Sequence, residues 1–160
     1  MVSKKEIAVL YQWAKDYNVN VPYREAFTWS TDIWNKPVWM YMIKNSKGTV
    51  RHTKVSDDVG SILENPEVYT SFFVKIDAGS IALRHRDPKL YGRNAKRLQL
   101  PLNVPVGECY MNYRDEKVIW EEGVPFVAQV TKYPHDVRNN TDSPLIFLMI
   151  DMDVNTIVEV

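Results

Sequence analysis

The sequence predicts a mainly β protein in which a jelly-roll-like barrel carries a short helical layer at its N-terminal end. Helical periodicity of the apolar residues is strong only near the N terminus, and the rest of the chain shows short strand-like runs separated by turn residues. Short strands at a spacing near ten residues are typical of sandwiches and barrels. The 160-residue chain is 45% hydrophobic and 25% charged, which is the composition of a globular protein with one core.

The first predicted element is an amphipathic helix over Lys4–Tyr17. Ser3 and Glu6 have the spacing of a capping box, in which each side chain satisfies a free backbone N–H of the other residue. Apolar residues follow at helical spacing, at Ile7, Leu10, Tyr11 and Ala14. Pro22 ends any continuation of this helix. Residues 28–39 are rich in Trp and Thr, and we expect them to form a packed loop.

The next segment predicts a β-hairpin followed by a short helix. Val38–Lys44 is a strand-like run, the Asn-Ser-Lys-Gly sequence after it is a turn, and residues 49–55 are expected to return as the second strand. A helix over Asp57–Leu63 is expected because Ser56 is a good N-cap residue and Asn-Pro follows shortly after.

The remainder of the chain predicts eight short strands. They are expected at residues 71–76, 80–84, 96–104, 108–113, 117–121, 125–130, 134–138 and 145–152. The sequence shows no internal repeat and no linker-like segment. We therefore expect a single domain over residues 1–160, with an N-terminal layer over about 1–66 and a β core over about 67–155.

Composition narrows the classes of function. The 20 basic and 20 acidic residues balance, which argues against a nucleic-acid binder that relies on bulk positive charge. The single cysteine, Cys109, excludes an internal disulfide and a cysteine-rich zinc site. The N terminus has no signal-peptide pattern and no apolar run is long enough to span a bilayer, so we expect a cytoplasmic protein without a membrane partner.

Two of the three histidines lie in a pattern suited to a metal ion. His85 and Asp87 are two residues apart at a strand end, where positions i and i+2 share a face, and His135 lies in another predicted strand. Two imidazoles and one carboxylate form the facial triad of non-haem iron oxygenases. The spacing alone favours an ordinary surface or hydrogen-bonded histidine over a metal ligand. His52 lies in the predicted outer hairpin and is expected to take no part in the site.

Five segments in the C-terminal half resemble conserved stretches of the aspartyl/asparaginyl β-hydroxylase family. AGSIALRHRD at residues 78–87 resembles the family's iron-binding strand, and RLQLPL at 97–102 resembles the family's Arg-x-His-Leu-x-Leu stretch. WEEG at 120–123 resembles the family's Trp-x-x-Gly turn. HDVRNNTD at 135–142 resembles the family's His-Glu-Val-x-Asn segment, and LIFLMID at 145–151 resembles the family's closing strand. The segments occur in the family's order and span about residues 73–153.

This resemblance implies a double-stranded β-helix, or cupin-like barrel, that binds Fe(II) and 2-oxoglutarate. It implies a dioxygenase that hydroxylates an amino-acid side chain in a protein or a small molecule, so the expected partner is a small-molecule or peptide substrate. By position, His85, Asp87 and His135 correspond to the iron ligands. Arg97 corresponds to a basic residue near the metal-chelating end of the co-substrate.

The sequence departs from the family at the expected 2-oxoglutarate clamp. The family has an arginine on the closing strand that clamps the far carboxylate of 2-oxoglutarate, and this sequence has Leu145 there. Val74 stands at the position of a hydroxyl-bearing residue of the family, and Gln99 at the position of a histidine. The cofactor-binding residues expected here are therefore other polar residues near the site, namely Arg97, Gln99 and Arg138. Arg97 and Gln99 share a face, whereas Arg138 could reach the site of His135 only through a bulge or turn.

These departures leave two other functions open. The protein could be a non-oxidative cupin-type metal protein, either an isomerase or epimerase or a small-ligand binding module. It could also be a degenerate member of the family without catalysis. A cationic stretch over residues 84–97 is consistent with an electropositive mouth that attracts an anionic ligand.

Overall fold

The computed structural model describes residues 1–17, 21–25, 32–45, 47–48 and 55–160 of the chain. This described part holds two helices and ten strands. They are α1 (Lys4–Tyr17), β1 (Arg24–Glu25), β2 (Val38–Lys44), α2 (Asp57–Leu63), β3 (Val68–Ile76), β4 (Ser80–His85), β5 (Ala95–Asn103), β6 (Glu108–Tyr113), β7 (Glu116–Val118), β8 (Phe126–Ala128), β9 (His135–Asn140) and β10 (Leu145–Asp153). Neither helix in these ranges has the length and apolar character needed to cross a membrane.

Both helices begin at the residues that the sequence predicts. At α1 the backbone N–H of Ser3 donates to the Glu6 carboxylate at 2.7 Å, and the N–H of Glu6 donates to the Ser3 hydroxyl at 3.2 Å. At α2 the hydroxyl of Ser56 accepts from the N–H of Val59 at 3.4 Å. These contacts satisfy backbone donors that a helix start otherwise leaves free.

The strands form two antiparallel sheets. The larger has the order β1-β2-β3-β10-β5-β8 and the smaller the order β4-β9-β6-β7. This mainly β, cupin-like barrel with two helices confirms the predicted fold class. Strand β2 pairs with β3 and β1. The strand predicted to return after β2 falls mostly on residues 49–54. These residues, which include His52, lie outside the described residues.

The central strands of the larger sheet are buried on both faces. On β3, Phe73 packs with the apolar face of α1, while Phe72 faces the interior between the two sheets. On β5, the leucines at 98, 100 and 102 join the same cluster as α1. Arg97 and Gln99 therefore point the opposite way, into the barrel, as strand alternation requires.

Candidate metal centre

A β-bulge in β4 directs His85 into the barrel. Ala82 pairs with Val137 and His85 pairs with His135, so three steps along β4 match two steps along β9. Without the extra residue, alternation from the buried Ala82 would turn His85 outward. The bulge leaves Leu83 exposed and brings the His85 ring to the His135 ring, with ring centroids 4.5 Å apart.

The three predicted metal ligands meet at one point. One carboxylate oxygen of Asp87 lies 3.3 Å from Nε2 of His85 and 3.2 Å from Nε2 of His135. His135 is the first residue of β9 and is buried. Asp87 lies just after β4, and its backbone N–H donates to the carbonyl of Val130 at 2.9 Å, which fixes the position of this segment. The potential ligand atoms of the three residues all lie within 4.8 Å of one another.

Backbone carbonyls orient both imidazoles toward this point. Nδ1 of His85 lies 2.6 Å from the carbonyl of Leu83, and Nδ1 of His135 lies 3.1 Å from the carbonyl of Tyr133. A neutral ring that donates from Nδ1 keeps its lone pair on Nε2, where a metal ion binds. Two such nitrogens and a carboxylate therefore fit a divalent transition metal, and His85, Asp87 and His135 would hold it.

Arg97 connects this triad to a second buried carboxylate. It donates from Nη1 to the free oxygen of Asp87 at 2.9 Å, and from Nε and Nη2 to Asp151 at 2.7 and 3.0 Å. Thr70 also donates to Asp151 at 3.2 Å, and the Arg97 guanidinium lies 5.4 Å from the ring centre of Phe72. The guanidinium is thus fixed between two carboxylates.

The ionisation of these groups follows from this geometry. Burial alone would raise the pKa of the Asp87 carboxyl, but Arg97 and the two imidazoles hold that pKa well below its ordinary value. Burial alone would lower the pKa of His85, yet its hydrogen bonds to Asp87 and Leu83 raise it. Burial likewise opposes the charge of Arg97, while Asp151 and Asp87 raise its pKa. Asp87 and Arg97 are therefore charged at neutral pH.

The triad borders a cavity of about 490 Å³ between the two sheets. Much of its wall is apolar, with four methionines from three strands at Met40, Met42, Met111 and Met149. Pro88, Leu90 and Tyr91 belong to the segment after Asp87 and line the cavity beside the candidate metal ligands. In that segment Leu90 and Arg93 exchange backbone hydrogen bonds of 2.9 and 2.8 Å, which forms a tight turn beside the candidate metal centre.

The predicted cofactor-binding residues separate in the structure. Arg97 and Gln99 line the cavity, and the Gln99 side chain accepts from the Trp120 indole at 2.9 Å. Arg138 is exposed and is not among the described residues that line the cavity, so the expectation that it faces the ligand is not met. The reason is that β9 pairs with β6 without a bulge, and regular alternation turns Arg138 outward.

Two positions of the family's clamp also lie away from the cavity. Leu145 and Val74 are fully buried in the core between the sheets, and neither is among the described cavity-lining residues. The sequence did not predict that Asp151 is a partner of Arg97, or that Thr70 donates to Asp151. The available signal was Asp151 itself, a carboxylate within the otherwise apolar run of β10.

Solved structures share the fold at low sequence identity. A 2OG-Fe(II) oxygenase family oxidoreductase from Burkholderia pseudomallei superimposes with a TM-score of 0.63 at 10% identity, covering 94% of this chain and 78% of that chain. A prolyl-4-hydroxylase from Pseudomonas putida gives 0.60 at 13% identity, with 93% and 86% covered. A predicted oxalate decarboxylase from Thermotoga maritima gives 0.56 at 12% identity, with 85% and 96% covered.

At these identities the structural neighbours show the barrel fold alone, because oxygenases and non-oxidative cupins share it. No curated protein sequence matches the chain. The family assignment comes instead from the sequence model of the aspartyl/asparaginyl beta-hydroxylases, which matches residues 6–154 and so covers the helical layer as well as both sheets. The chain belongs to the aspartyl/asparaginyl β-hydroxylase family.

Proposed function

We propose that this protein is an Fe(II)-dependent dioxygenase that consumes a 2-oxo acid, the class that includes 2-oxoglutarate, and hydroxylates an amino-acid side chain or a small molecule. The observation that carries the proposal is the convergence of His85, Asp87 and His135 at the wall of an internal cavity. Two imidazoles and one carboxylate leave the remaining positions of an octahedral ion open for co-substrate and O₂.

Each residue of the site has a defined task in this proposal. His85, His135 and one oxygen of Asp87 would hold the metal, and the carbonyls behind the two rings keep both Nε2 atoms directed at it. Arg97 holds the other oxygen of Asp87. When bound, Fe(II) would let O₂ accept four electrons, two from a C–H bond that becomes C–OH and two from a 2-oxo acid that becomes a carboxylate and CO₂.

The apolar wall of the cavity would exclude water from the reacting centre. Met111, Val137 and Met149 surround the side of the cavity next to His135 and Gln99. An apolar enclosure strengthens the electrostatic contacts of the site and limits unproductive reaction with solvent. The cationic segment after His85, which includes the exposed Arg86 at the cavity, would attract an anionic ligand to the mouth.

Anaerobic titration of the Fe(II)-loaded protein with a panel of 2-oxo acids tests this function. We expect a weak visible charge-transfer band with at least one 2-oxo acid, and consumption of O₂ with release of CO₂ once air is admitted. The Zn(II)-loaded protein is the matched control and should give neither signal. Tight metal binding without a band and without O₂ consumption for any 2-oxo acid would contradict the proposal.

A non-oxidative metal protein is the second candidate. It is favoured by one observation, which is that Leu145 stands where the family has its clamping arginine and lies buried away from the cavity. The same titration separates the two functions, because an isomerase, an epimerase or a binding module would bind metal and ligand without consuming O₂.

A further inference from the structure

The strand register divides the cavity wall into a charged end and an apolar remainder. At the charged end, Asp151 of β10 pairs with Thr70 of β3 and with Arg97 of β5. Two residues along β10, Met149 pairs with Phe72 and Gln99. Met42 of β2 pairs with Phe72 and extends this second layer. Beyond it the described wall consists of apolar side chains, at Ile33, Trp34, Met40 and Ile76.

The buried charges at the charged end specify the charge of the ligand. Asp87 and Asp151 carry one negative charge each and Arg97 carries one positive charge, so the three together are −1. A divalent metal ion held by Asp87 and two neutral imidazoles raises the net charge of the set to +1. A ligand with a single carboxylate neutralises the set, whereas a dicarboxylate leaves it at −1. Buried charges are tolerated when they are paired, which favours the first case.

Along the apolar part of the wall, the described residues offer no cation to a second carboxylate. Apart from the charged end, Arg86 is the one basic side chain among the described residues that line the cavity, and it is exposed to solvent at the mouth. Gln99, which is neutral, is the polar side chain among the described residues of the second layer. Its oxygen accepts from Trp120 at 2.9 Å, and its amide nitrogen lies 3.7 Å from the sulfur of Met111.

We propose that the 2-oxo acid of this site is a monocarboxylate with an apolar tail, and not the dicarboxylate 2-oxoglutarate. The inference rests on the proposed function for its metal and its 2-oxo group. The carboxylate and oxo group of the ligand belong at the charged end beside His85, Asp87 and His135, and its tail lies against Phe72 and Met149. Methionine side chains adapt to irregular apolar shapes, so the wall suits a branched aliphatic tail.

Calorimetric titration of the Mn(II)-loaded wild-type protein tests the inference without turnover. The ligands are 4-methyl-2-oxopentanoate, 2-oxoglutarate, and 4-methylpentanoate as a control that lacks the oxo group. We expect 4-methyl-2-oxopentanoate to bind at least tenfold more tightly than either of the others. A Met149→Lys variant, which adds one cation to the second layer, should shift the preference toward 2-oxoglutarate. The matched control is Val106→Lys, which adds the same charge at an exposed position outside the described cavity wall and should keep the wild-type preference.

The outcomes separate this inference from the proposed function. Equal or tighter binding of 2-oxoglutarate by the wild-type protein overturns the inference and leaves an Fe(II) and 2-oxo-acid enzyme in place. A protein that binds Mn(II) but neither 2-oxo acid overturns both. Because the wild-type protein alone decides these results, poor folding of the Met149→Lys variant does not affect them.

Discussion

Arg97 is the residue on which the geometry of the candidate metal centre depends most. Its guanidinium is largely buried, and two carboxylates, Asp87 and Asp151, hold it in place through three of its nitrogen atoms. An isolated charge in this position would be costly, but here the guanidinium is paired with a carboxylate on each side. Asp151 would therefore act on a bound metal ion indirectly, by fixing the arginine that holds the candidate ligand Asp87.

Replacement of Asp151 by asparagine tests this indirect role. Asp151→Asn keeps the shape of the side chain but removes the charge that anchors Arg97, so we expect metal affinity to fall by roughly 10–100-fold. The measurement is a metal competition titration, with Asp153→Asn as the matched control because Asp153 lies two residues along β10 and accepts from Tyr69 instead. Unchanged metal affinity in Asp151→Asn would show that Asp87 needs no support from Asp151.

At the scale of the elements, local irregularities position the site and regular pairing builds the wall around it. The bulge in β4 turns His85 inward, while the uninterrupted pairing of β9 with β6 turns His135 inward and Arg138 outward. Helix α1 lies on the opposite face of the larger sheet, packed on a cluster that includes Phe73 and Leu100. The helix supports the sheet that carries Arg97 and Asp151 without contributing a residue to the described cavity wall.

The capping box of α1 predicts a specific loss of stability. Ser3→Ala removes the hydroxyl that accepts from the Glu6 N–H, so the free energy of unfolding should fall by about 1 kcal/mol. Chemical denaturation measures this change. Lys5→Ala alters the exposed face of the same helix and should leave the free energy of unfolding within about 0.5 kcal/mol of wild type. A Ser3→Ala protein as stable as wild type would mean that the helix start does not depend on its cap.

At the scale of the whole molecule, two buried layers flank the larger sheet. One contains the helices and the outward faces of β3, β5 and β10, and the other fills the space between the two sheets and includes Cys109. Burial raises the pKa of the Cys109 thiol to about 11. Because the thiolate is the reactive form, this cysteine is protected both by its protonation and by its lack of access.

Thiol labelling of Cys109 should therefore report the opening of the whole core. At pH 8 the native protein is expected to react with a thiol reagent far more slowly than the urea-unfolded chain, and the rate should rise through the denaturation transition. Circular dichroism recorded over the same urea concentrations provides the comparison. Rapid labelling of the native protein at pH 8 would contradict the burial of Cys109 between the sheets.

Much of the fold could be predicted from the sequence, because local patterns determine where elements begin and end. The bounds of α1, β2, α2 and β6 are those expected, and the other strands predicted after residue 66 overlap observed ones. The return strand predicted at residues 49–55 falls mostly outside the described residues. Long-range pairing is different, since no local pattern specifies that β2 lies beside β3 or that β10 lies between β3 and β5. The role of Asp151 depends on that pairing, and the outward position of Arg138 depends on the absence of a bulge in β9.

Metal titration of the wild-type protein and of three histidine variants tests whether His85 and His135 hold a divalent ion. We expect one divalent ion per chain in wild type and in His52→Ala. In His85→Ala and in His135→Ala we expect the metal affinity to fall by about 100-fold or more, because each change removes one Nε2 ligand from the site. Wild-type affinity in either of the last two variants, or no metal binding by the wild-type protein, would contradict this assignment.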